Sequence, residues 1–71
     1  MSALEYLRLL VLRDELTGVL DGLQRMFTEA YVVMDDLAAL AALIAASKVR
    51  SELEEIEQNL LWEAILDTQQ E

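Results

Sequence analysis

Fourteen carboxylates, no histidine and no cysteine set the chemistry open to this 71-residue chain. The acids crowd the C-terminal part: from Glu52 onward there are seven acids and no base. Glu52-x-x-Glu55 and the later pair Glu63 and Asp67 have the one-turn spacing with which helical carboxylates hold a divalent cation. The two pairs stand too close along the chain to build such a centre. Carboxylate bundles that bind iron generally add histidine as well. No Cys-His zinc site is possible. The three serines (Ser2, Ser47 and Ser51) each have a capping or turn role open to them and no histidine to activate them. There is no glycine-rich phosphate loop. The expectation is a protein that is not an enzyme and uses no metal or cofactor.

What these residues could do is bind another protein. Trp62 and Leu66, one turn apart, point away from the apolar packing face Leu53, Ile56, Leu60 and Ala64. They sit beside Glu55 and Asn59. Tryptophan is enriched at binding hot spots, so Trp62 with Leu66 is the candidate anchor. Glu52, Glu55, Glu63 and Asp67 fall roughly along one stripe that could dock a basic groove. Two other readings stay open: the stripe is a solvated face, and Trp62 with Leu66 lies inside a dimer interface.

The formal net charge of −9 favours a partner with a basic or apolar groove. It argues against direct nucleic-acid binding, which needs clustered Lys and Arg, and against anionic membrane surfaces. The longest apolar run, Leu37 to Ala46, is about half of a membrane span. The start, Met1-Ser2-Ala3-Leu4-Glu5, lacks the basic and apolar regions of a signal peptide. A cytoplasmic location is expected.

The elements that position these residues are helical. Leu9, Leu12, Leu16, Val19, Leu23, Met26, Ala30, Val33, Leu37, Leu40 and Ile44 are spaced alternately by three and four. That averages 3.5 residues, the period of helices packed side by side. Leu20, Phe27, Met34 and Ala41 recur every seven residues beside this seam. Ser2 with Glu5 forms a capping box that starts a helix. Asp21-Gly22 is a turn signal, yet the seam crosses it in phase, as it crosses Asp35-Asp36. Continuity through Asp21-Gly22 is therefore expected, with a compact three-helix unit as the alternative. The seam fails at Ser47 and Ser51, and Ser51 with Glu54 forms a second capping box. Lys48 and Arg50 would suit the end of one helix, and Glu52, Glu54 and Glu55 the start of the next.

The spacing thus predicts an all-α helical hairpin of one long helix (about 2–46) and one shorter helix (about 51–68), with residues 68–71 frayed. At 1.5 Å per residue the first would be about 66 Å long and the second about 27 Å. The mismatch would leave Leu4 to Leu23 bare, and a second copy would cover it in a homodimeric helical bundle.

The two capped starts, Ser2-Ala3-Leu4-Glu5 and Ser51-Glu52-Leu53-Glu54, with the acidic run that follows, resemble small phage-encoded inhibitor proteins of the quorum-sensing anti-activator type. The resemblance covers size, helicity and acidity and carries no site residue over. It implies a dimer that binds and inhibits a host transcription regulator. Small co-chaperones of secretion systems look similar, and they imply instead a structural subunit of a larger helical assembly.

Overall fold

The computed structural model describes residues 2–69. It consists of two antiparallel helices, α1 (Ala3–Val32) and α2 (Asp36–Gln69), joined by a three-residue turn. The expected all-α helical hairpin is present, but its turn lies elsewhere than the seam suggested. The first helix ends at Val32 rather than near residue 46. Residues 47–50, expected as the turn, lie inside α2.

The physical reasons are local. Helix α1 starts as the capping box requires: the Ser2 hydroxyl accepts from the Glu5 N–H at 3.2 Å. It runs through Asp21-Gly22 without a break, and the Asp21–Arg25 ion pair at 2.9 Å bridges that stretch one turn apart. It ends at two β-branched residues, Val32 and its C-cap Val33, which favour a helix less than straight-chain residues do. There the Met34 N–H donates to the Tyr31 carbonyl at 3.1 Å, and the Asp35 N–H donates to the Ala30 carbonyl at 2.9 Å. This pair of bonds is a Schellman motif, which needs a left-handed residue between them. Met34 occupies that place with φ of 60°.

Asp35 then starts α2. Its carboxylate accepts from the Ala38 N–H at 3.1 Å, and its carbonyl from the Ala39 N–H at 2.9 Å. Ser47, Lys48, Arg50 and Ser51 mimic a turn because all four lie on exposed sides of α2. The inward side passes them in phase through Ala46, Val49 and Leu53.

The helices meet along two seams with the same three-four spacing. On α1 the covered residues include Leu9, Arg13, Leu16, Leu20, Leu23, Phe27 and Ala30; on α2 they include Ala39, Ala42, Ala46, Val49, Leu53, Ile56 and Leu60. Among the described residues only Ala30, Ala39, Ala42, Ala46, Leu53 and Ile56 are buried outright. Four of these are alanines, so the contact is narrow. The hairpin measures 55 × 17 × 12 Å. Its shortest dimension is that of one helix with its side chains, so there is no second layer.

The helices span about 45 and 51 Å. The length mismatch expected from the sequence is therefore absent. Bare apolar surface is present for a different reason: two helices side by side cover only one side of each other.

Candidate functional site

Helix α2 places the expected partner-binding residues on its outer sides. Trp62 is 63% exposed and Leu66 44%. Glu52, Glu55 and Asn59 are exposed too. At the helical period, Glu55 and Trp62 share one row, while Glu52, Asn59 and Leu66 share the row beside it. These five residues thus form one continuous strip on the C-terminal half of α2. Glu63 departs from the group. It is half-buried, faces α1, and has an interaction of its own. Its neighbours across the open end of the hairpin are Ser2, Ala3, Tyr6 and Leu7. Among the described residues no three carboxylates converge as metal ligands.

The residues expected as one seam divide between two roles. Leu9, Leu16 and Leu23 face α2 and are half-covered. Leu12, Val19 and Met26 lie one row further round α1 and are exposed. Val33 belongs to the turn, and Leu37, Leu40 and Ile44 lie on the outside of α2; all four are exposed. The covered seam of α2 takes their place through Ala39, Ala42, Ala46 and Val49. The signal for it is in the sequence, since positions 39, 42, 46, 49, 53, 56 and 60 are apolar and spaced by three and four.

Besides Val19 and Met26 on α1 and Leu40, Leu43 and Ile44 on α2, exposed apolar side chains gather in three regions. The first is the N-terminal half of α1, where Leu4, Leu7, Val11 and Leu12 line a shallow groove with Arg8 and Glu15. The second is the turn, where Tyr31, Val32, Val33, Met34 and Leu37 are all exposed. Phe27 stacks on Tyr31 beside it, with ring centroids 6.2 Å apart. The third is the end of α2, with Leu61, Trp62, Ile65 and Leu66. No helix among the described residues is long and apolar enough to cross a membrane. The chain matches no protein-family model, no curated protein and no solved structure.

Proposed function

We propose that this chain is a small acidic protein-interaction module. It associates with itself and binds another protein, which it inhibits or sequesters. The observation that carries the proposal is the ratio of covered to bare apolar surface. Among the described residues six are buried, four of them alanines, while nineteen large hydrophobic side chains stand exposed. A chain this size rarely holds a fold on so small a core. Exposed apolar surface on this scale is the mark of a contact with protein.

The strip of Trp62, Leu66, Glu52, Glu55 and Asn59 suits a partner with an apolar pocket rimmed by basic side chains. A transcription regulator held off its DNA is the partner class that fits the net charge of −9. A second reading is a subunit or co-chaperone of a larger helical assembly. The bare turn from Tyr31 to Leu37 favours it, because that patch is remote from the Trp62 strip.

Molar mass by light scattering over a hundredfold dilution tests the self-association. A persistent dimer supports it, and a monomer throughout removes it. The partner surface is tested by affinity capture with three baits: the native chain, Trp62→Ala, and a Glu52→Lys, Glu55→Lys double variant. A protein retained by the native chain and lost by both variants supports the strip. Identical capture by all three baits would remove it. Low solubility alone, cured by co-expression with a specific helical protein, would select the second reading.

A further inference from the structure

Resting on the self-association in that reading, we propose that the second copy docks on the outer row of α1. The two α1 helices run antiparallel, with Val19 on the two-fold axis. Leu12, Val19 and Met26 are 41%, 49% and 57% exposed and lie seven residues apart on one row. No polar residue interrupts that row, and the row beside it is Leu9, Leu16, Leu23 and Ala30. The stripe is its own complement when reversed. Antiparallel pairing about Val19 sets Leu12 against Met26 of the other copy, twice over. It also brings Leu4 to the level of the exposed turn residues Val33 and Met34, covering two of the bare regions with one contact.

Charge fixes the direction. The flanking row reads Arg8, Glu15, Gly22, Glu29. Neither Arg8 nor Glu29 has a charged partner among the described residues. Reversed on itself, this row sets Arg8 against Glu29 at both ends and Glu15 against Gly22. A parallel pairing would instead set this row against the opposite flank, Leu9, Leu16, Leu23 and Ala30, and give Arg8 and Glu29 no opposite charge to meet. Gly22 gives the stripe a place where the backbones can approach. Within the hairpin, a Cβ on Gly22 would meet nothing within 4 Å, so the α1–α2 contact does not require glycine there.

Area selects a protein-sized occupant. The 8.0 kDa chain exposes 5740 Å², against about 4,450 Å² for a compact monomer of that mass. The excess, about 1,300 Å², is more than the roughly 800 Å² each partner gives to a standard interface. Helix α2 is the weaker candidate for self-pairing. Ser47, Lys48, Ser51, Glu54, Glu55 and Gln58 occupy the middle of its outer face.

The native chain has no cysteine, so single cysteines report the geometry cleanly. Helices packed 8–10 Å apart bring facing Cα atoms within disulfide range. Mild oxidation at micromolar concentration should turn most of Val19→Cys into a covalent dimer. Leu12→Cys and Met26→Cys should each stay uncrosslinked alone, because the two copies of each residue would lie roughly 21 Å apart. Mixed and re-equilibrated, those two variants should give the covalent heterodimer.

Self-crosslinking of Leu12→Cys and of Met26→Cys separately would show a parallel pair and overturn the proposal. A crosslink at Ser51→Cys with none at Val19→Cys would also overturn it, in favour of α2. A dimer by mass without the Val19 crosslink would sink this geometry and leave the self-association intact. A monomer by mass would remove both.

Discussion

The Asp35 N–H donates to the Ala30 carbonyl across five residues, at 2.9 Å, and by doing so closes α1 and aims the chain back along it. That bond requires Met34 between them to be left-handed, with φ of 60°. A side chain in this conformation costs about 1–2 kcal/mol relative to the right-handed helix. Met34 is also 85% exposed, so no packing within the hairpin offsets the cost.

Met34→Gly should therefore stabilise the fold by about 1 kcal/mol, since glycine takes this conformation freely. Urea unfolding at fixed protein concentration measures it through the midpoint at unchanged slope. A midpoint that falls would mean that the methionine side chain has a contact in the associated state that outweighs the strain.

Asp35, which caps α2, and Ser51, which only resembles a cap in the sequence, should respond differently. Asp35→Ala removes the cap on Ala38 and should cost about 1 kcal/mol. Ser51→Ala should be neutral or slightly stabilising, because Ser51 is an exposed mid-helix residue and alanine is the better helix former. Thermal unfolding followed by circular dichroism compares them. A loss at Ser51 as large as at Asp35 would return the turn to residues 47–50.

The narrow core predicts a steep gradient in truncation cost along α2. Ile56→Ala should cost about 2–4 kcal/mol by removing a buried side chain. Glu57→Ala, on the exposed side, should stay within about 0.5 kcal/mol. Equal effects at the two sites, read from denaturant midpoints, would contradict the burial pattern.

Salt should strengthen self-association. Two chains of net charge −9 repel, and raising ionic strength from 0.01 M to 0.15 M shortens the Debye length from about 30 Å to about 8 Å. The dimer fraction measured by sedimentation should rise across that range. A falling fraction would mean that attraction between opposite charges, of the Arg8–Glu29 kind, governs assembly.

Helix content, the Ser2 cap and the inward residues Leu53, Ile56 and Leu60 were legible in the sequence because each depends on residues close together; Ala64, expected on the same face, is exposed. The turn was not. Ala30, Val33 and Leu37 keep a three-four spacing straight through it, so periodicity cannot separate a hairpin from a continuous helix there. The usual glycine after the helix end is absent, and Met34 carries no turn signal. Asp35-Asp36 was the available cue, but the seam in phase outweighed it. Ser47 and Ser51 misled for the converse reason, since a polar outer face looks like a gap in a seam when the inner face is overlooked. For the partner strip, spacing placed Trp62 and Leu66 on an outer side, where they lie. Glu63 shares the acidic stripe by composition, but its position in the turn of the helix carries it toward α1.

The alanines near the turn have a kinetic consequence. Ala30 and Ala39 are separated by only nine positions, and Ala42 and Ala46 follow on α2, all with short side chains that let two backbones come close. Closing a loop of about ten residues takes about 10–100 ns. Contacts further from the turn, between the Leu9–Leu16 segment and the Leu53–Leu60 segment, enclose several times more chain and cost more entropy to form. The hairpin therefore zips from the turn outward and opens from the far end inward. Its loosest end is the one that holds Leu7, Trp62 and Leu66.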